Sequence, residues 1–177
     1  MNLRWFTINT FQEIYVNIIK KSLRLGDEHM GLVFKKATEV EIEEIYELAG
    51  VNRKEATNCN AEDNREKMIE AYEHSAKYNA YFVCLMDGDT LLGWVQIDKA
   101  FDYLTGDEVG WINDLYVKSS YRGKGYSKLL IEEAFKEFKK NGYSDVRLNV
   151  YSFNEKAIKL YEKMGFKDVS KFMKVSI

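Results

Sequence analysis

A chain of 177 residues has room for one compact domain with a short extension, and its 46% hydrophobic and 31% charged residues are those of an ordinary globular protein. A net charge of −2 gives no overall pull toward nucleic acid, and no stretch reaches the ~20 apolar residues of a membrane span. The two cysteines (Cys59, Cys84) and two histidines (His29, His74) lack metal-ligand spacing, so no metal site is expected.

The N-terminal run MNLRWFTINTFQEIYVNIIKK has no clean apolar segment and carries Glu13 in its middle. It does not read as a secretory signal; with two lone cysteines, the expected location is the cytoplasm. Residues 10–25 read as a helix: Thr10 and Glu13 match a capping box, and Phe11, Ile14, Tyr15, Ile18 and Ile19 form one apolar stripe. Residues 1–30 are an N-terminal extension, and the main domain covers 31–177.

Within that domain, Leu32 to Ala37 reads as a strand. Thr38 then caps a helix, with Glu41 three residues on and Ile42, Ile45, Tyr46, Leu48 and Ala49 on its apolar face. Residues 51–61 are polar and read as a loop, and 62–78 as a second helix. Tyr81 to Met86 and Leu91 to Ile97 are strands joined by a turn at Asp87-Gly88-Asp89. Residues 98–108 are an acidic loop, and Val109 to Val117 is a strand. A glycine-rich turn opens a helix over about 125–140, ended by Asn141-Gly142. Val146 to Tyr151 is a strand, 154–164 a helix, and Phe166 to Val175 one or two final strands. The order β-α-α-β-β-β-α-β-α-β predicts an α/β sandwich around a mixed sheet.

The strongest chemical signal is Tyr121-Arg122-Gly123-Lys124-Gly125-Tyr126-Ser127, placed between a strand and a helix. Such a turn points unpaired main-chain N–H groups outward at the positive end of the helix dipole, where an anion binds. Gly123 and Gly125 let the backbone approach closely, and Arg122 and Lys124 add charges that suit a diphosphate. The string G-x-x-x-x-G-K-[ST] is absent, and Lys128 stands where a dinucleotide fingerprint needs its third glycine. The diphosphate of coenzyme A remains.

These residues resemble the GNAT N-acetyltransferase superfamily. Arg122-Gly123-Lys124-Gly125-Tyr126-Ser127 is similar to its R/Q-x-x-G-x-G/A signature, with Ser127 in place of the usual Gly or Ala. Asn154-Glu155-Lys156-Ala157 and Tyr161-Glu162-Lys163-Met164-Gly165-Phe166 are similar to its N-x-x-A and Y-x-x-x-G-F motif, and Ile112 to Val117 to its central strand. The resemblance covers about 31–177. It implies an acyl-CoA N-acyltransferase fold with a central, mostly antiparallel mixed sheet flanked by helices, and acetyl-CoA as donor. It implies that Leu115, Tyr116 and Val117 line the pantetheine arm, Leu115 and Val117 through main-chain groups. Arg122, Gly123, Lys124, Gly125, Tyr126 and Ser127 then bind the diphosphate, and Asn154 the pantetheine or phosphate end. As a residue alone, Asn154 is a helix cap, with Ser152 and Glu155 offering a rival capping box.

The resemblance makes Tyr161 the general acid that protonates the departing thiolate. An amine must lose a proton before it attacks; Asp114 on the central strand is the first choice of base, directly or through water, and Glu108 the second. Asp98, Asp102, Asp107 and Glu108, interleaved with Phe101, Tyr103 and Trp111, suit a cationic amine, whether a small molecule or a protein amine. A homodimer through the N-terminal helix fits the family. The rival reading is an acyl-CoA-binding regulatory module without chemistry.

Overall fold

The computed structural model describes residues 31–58 and 64–177. The expected helix at 10–25, with the rest of the N-terminal extension, lies outside the described residues. Within them the elements run β1 (Leu32–Lys36), α1 (Glu39–Thr57), α2 (Asn64–Ala76), β2 (Tyr81–Asp87), β3 (Thr90–Phe101), β4 (Glu108–Val117), α3 (Tyr126–Lys140), β5 (Val146–Leu148) and α4 (Glu155–Lys163). The strands form one sheet in the order β1-β2-β3-β4-β5. β2, β3 and β4 are antiparallel neighbours, and β5 joins β4 in parallel after the α3 crossover.

Helices cover both faces of the sheet. On one face Trp94, Cys84, Phe82 and Tyr116 pack with Ile45 and Ala49 of α1 and Tyr72 of α2. On the other, α3 lays Leu130, Ile131, Ala134 and Phe138 against the strands, all four fully buried. Two strand glycines permit the close contacts. A Cβ on Gly93 would lie 2.4 Å from the Tyr116 carbonyl oxygen, and one on Gly110 would lie 2.6 Å from the Phe138 ring.

α1 starts where the sequence pattern predicts. The Glu41 carboxylate accepts from the Thr38 N–H at 2.9 Å and the Thr38 hydroxyl at 2.7 Å, and Lys35 pairs with it at 3.0 Å. Burial pushes the Glu41 pKa up, but these partners outweigh it and hold the group at about 2.

Four expectations are corrected. The expected loop at 51–61 is helical as far as Thr57, because its polar residue Asn52 is itself buried and faces an acceptor described below. The acidic loop shortens to a hairpin tip, since β3 runs on to Phe101 and pairs with Glu108. The strand expected at Val146 to Tyr151 ends at Leu148. Residues 166–177 contain no strand, and Phe172, Met173, Val175 and Ile177 are exposed.

Candidate active site

The glycine-rich turn has the predicted anion geometry. Gly123 and Gly125 sit at φ +82° and +80°, a left-handed region that L side chains avoid. A Cβ at either position would meet nothing within 4 Å, so the turn faces open space. The first main-chain bonds into α3 run from the Lys128 and Leu129 N–H groups to the Gly125 carbonyl. The N–H groups of Gly123, Lys124, Gly125 and Ser127 therefore reach no main-chain acceptor among the described residues. This cradle fits a diphosphate. Arg122 braces it: its Nε donates to the Val117 carbonyl at 2.8 Å, an Nη donates to Glu55 at 2.6 Å, and the guanidinium lies 5.2 Å from the Tyr116 ring centroid.

A gap opens beside the loop. Among the described residues β5 pairs with β4 only at Gly110, Trp111 and Ile112, so β4 continues from Asn113 to Val117 with no described strand on that side. The antiparallel register decides which main-chain groups face the gap. The Lys118 N–H bonds to the Leu92 carbonyl, so alternation directs Tyr116 and Asp114 toward β3 and leaves Leu115 and Val117 facing outward. Those are the two residues expected to meet a pantetheine arm. The Val117 carbonyl is already taken by Arg122; its N–H and the Leu115 groups remain.

A bulge settles the positions of the carboxylates. Gln96 pairs with Asp114 but Ile97 pairs with Ile112, which leaves Asn113 as the extra residue in β4. Glu108 and Asp114 are six residues apart, so an unbroken strand would place both on one face. Instead Gly110 faces Phe138 of α3, whereas Asp114 faces α1 and α2. The two expected bases thus lie on opposite faces of the sheet. Glu108 accepts from the Tyr143 hydroxyl and pairs with Lys99 at 2.9 Å, and these two partners lower its pKa, which makes it a poor base.

Asp114 is the hub of a polar network. Its Oδ2 accepts from Asn52 Nδ2 (2.8 Å), the Tyr72 hydroxyl (2.6 Å) and Trp94 Nε1 (2.7 Å), and its Oδ1 from Asn52 Nδ2 (3.0 Å). All three donors are buried, Trp94 completely. Sequence reasoning found the acceptor and missed its donors. One signal was present: Ile45, Ala49 and Asn52 stand at i, i+4 and i+7, so Asn52 interrupts an apolar stripe.

Tyr161 is half-buried on α4 and packs on Phe166, with ring centroids 5.8 Å apart. Its hydroxyl makes no hydrogen bond among the described residues. Burial, helped by the negative charge of Asp114, pushes its pKa up to about 12, so the phenol keeps its proton. Asn154 caps α4: its Oδ1 accepts from the Ala157 N–H at 3.2 Å, which displaces the rival Ser152/Glu155 box and leaves its amide NH2 as a donor. Tyr126 is buried at the first position of α3.

A cavity of about 520 Å³ opens at the opposite end of the sheet, walled by Tyr78, Tyr81, Asp98, Lys99, Asn141 and Tyr143 among others. None of the residues expected to bind acetyl-CoA or to move protons lines it; of the acidic residues expected on the acceptor side, Asp98 does. The loop and the gap are open surfaces rather than a closed pocket.

Comparisons with known proteins agree with this geometry. Residues 41–166 match the model of the acetyltransferase (GNAT) family. A thialysine N-epsilon-acetyltransferase of Sus scrofa is 28% identical over 102 residues, 52% of this chain and 59% of that protein. The chain spans between 28% and 59% of the length of the first curated relatives it matches. A putative acetyltransferase from Pyrococcus furiosus superposes with a TM-score of 0.66 at 24% identity, over 82% of this chain and 99% of that one. A predicted acetyltransferase from Clostridium acetobutylicum, solved with acetyl-CoA, superposes with a TM-score of 0.64 at 15% identity, over 82% and 96%. The loop, the opened strand and the family match agree, and the chain belongs to the acetyltransferase (GNAT) family.

Proposed function

We propose that this protein transfers an acetyl group from acetyl-CoA to a primary amine by direct attack. The observation that carries this reading is the conjunction of three features: the open N–H cradle at 123–127, the outward main chain of Leu115 and Val117, and a protonated Tyr161 beside the charge of Asp114. Bound acetyl-CoA supplies a thioester carbonyl as electrophile and a thiol as leaving group.

The cradle and Lys124 hold the diphosphate end, and the edge of β4 orients the arm as an added strand would. A main-chain N–H on that edge offers a hydrogen bond to the carbonyl oxygen as negative charge develops there. Tyr161 donates its proton to the departing sulfur. Against a thiol in water (pKa ~8.5), a phenol at about 12 would give up its proton at a cost of about 5 kcal/mol. The site must therefore favour the thiol product, or the phenol acts by hydrogen-bonding the departing sulfur. On Asp114, Oδ2 is filled by three donors and Oδ1 by one, so Oδ1 is the atom we assign to take a proton from the amine through water.

The test is thiol release from acetyl-CoA across a panel of primary amines. The wild-type protein should turn over, and Tyr161→Phe should cut kcat by about a hundredfold while acetyl-CoA binding persists. Full turnover by Tyr161→Phe would remove the sulfur role. Tight acetyl-CoA binding with no release on any amine would leave the regulatory-module reading in its place.

A further inference from the structure

We propose that Asp98, with Ser75, Gln96 and Asn113, seats a second, non-reacting ammonium group of the acceptor, so that the preferred acceptor is a diamine. This inference rests on the acetyl-transfer reading above.

The argument starts from an excess of hydrogen-bond acceptors. Asn113, the bulge residue, is exposed, and its Nδ2 lies 3.1 Å from Ser75 Oγ, 3.2 Å from Gln96 Oε1 and 3.4 Å from Asp98 Oδ2. An amide nitrogen has two protons, so three acceptors compete for two. The single hydroxyl proton of Ser75 is contested as well, since Ser75 Oγ is 3.0 Å from the Ala71 carbonyl and also within reach of Asp98. Gln96 is 1% exposed, and its carbonyl is aimed at this spot from the sheet core. An ammonium group brings three protons and a positive charge.

Charge supports the same occupant. Asp98 is half-buried, and its other hydrogen-bond donors are neutral: the Lys99 main-chain N–H at 2.8 Å and the Ser75 hydroxyl. No lysine or arginine lies within ion-pair distance of it among the described residues: Lys99 pairs with Glu108, and Arg147 with Asp102 and Asp145. The charged or titratable groups around it are the Lys99 and His74 side chains and Tyr143. Burial holds its pKa above the ordinary carboxylate value, the mark of a charge short of compensation. Asp98 is half-buried and Asn113 beside it is exposed, so a ligand reaches the cluster from solvent. Across the strand, Asp98 pairs with Trp111, which offers an aromatic surface to an alkylammonium chain.

The register separates this ammonium from the reacting nitrogen. The gap in β4 opens beyond Ile112, while Asp98 is level with Trp111 and Val95 is level with Leu115. Three residues of strand separate Asp98 from Val95, about 10 Å. A subsite that selects a cation also cannot hold the nitrogen that must be neutral to attack. The polar strip lies on the α1/α2 face, and the diphosphate cradle begins α3 on the opposite face. The acceptor and the thioester therefore approach from the two sides of the sheet and meet at the gap.

Two measurements test this on the full chain. In steady-state kinetics with acetyl-CoA, 1,5-diaminopentane should be preferred over pentylamine, and Asp98→Asn should reduce that preference at least tenfold through KM, with kcat on the diamine within about threefold. Ser75→Ala should reduce it less. In a binding titration without acetyl-CoA, the diamine should bind the wild type and be weakened by the same factor in Asp98→Asn. An equal loss on both amines, or an unchanged preference, overturns the inference. Asp98-dependent diamine binding without turnover keeps the subsite and overturns the acetyl-transfer reading instead; turnover of both amines with equal preference in the wild type does the reverse.

Discussion

The glycine-turn cradle and the Asp114 hub are built in opposite ways. The cradle is one contiguous run, Arg122 to Ser127, whose working parts are main-chain N–H groups and two left-handed glycines. The hub draws Asn52 from α1, Tyr72 from α2, Trp94 from β3 and Asp114 from β4, and works through side chains. A contiguous site is local chemistry and tolerates the loss of distant packing. An assembled site is part of the core, so damage to it is damage to the fold. The difference teaches where mutations separate function from stability.

The largest expected effect breaks the hub. Asp114→Ala strands the buried donors of Trp94, Tyr72 and Asn52 and should cost about 4 kcal/mol of stability, read from the urea midpoint. A loss under 1 kcal/mol would mean the hub is a surface network, and the contrast with the cradle would fail.

Next comes acid. Glu41 starts the helix that carries Asn52, and its pKa drops from 4.5 to about 2 on folding. The unfolded chain binds the proton more readily, so this contribution is complete above pH 4.5 and is lost as pH falls toward 2. The full loss is about 3 kcal/mol, visible as a falling Tm in that window and absent in Glu41→Gln.

The smallest stability effect belongs to the cradle. Gly125→Ala places a Cβ in open space but at φ +80°, a strain of about 1–2 kcal/mol. Because the strain distorts the N–H cradle, acetyl-CoA affinity should fall by tenfold or more, while the urea midpoint moves by no more than about half the shift of Asp114→Ala. Equal affinity in Gly125→Ala would show that the amide groups do not hold the diphosphate.

What was legible in the sequence follows the same division. The start of α1 at Thr38 and Glu41, the hairpin after Asp87, the glycine turn and the α3 stripe are short-range signals, and each is found in the structure. The stretch 51–57 was misread because Asn52 is polar for a tertiary reason. The strands expected over Phe166 to Val175 are not formed, because a local sequence can suit a sheet without any edge being there to receive it.

Glycine spacing, capping pairs and the order of elements come from bonds that close within a few residues, so the chain by itself determines the family, the fold class and the glycine turn. Which face each carboxylate of β4 occupies was decided only by pairing with β3, because one extra residue at Asn113 reverses the alternation that follows. That reversal takes Asp114 away from Glu108 and into the hub, and it sets Asn113 against Ser75, Gln96 and Asp98. No local propensity encodes it; a bulge exists only relative to the strand beside it.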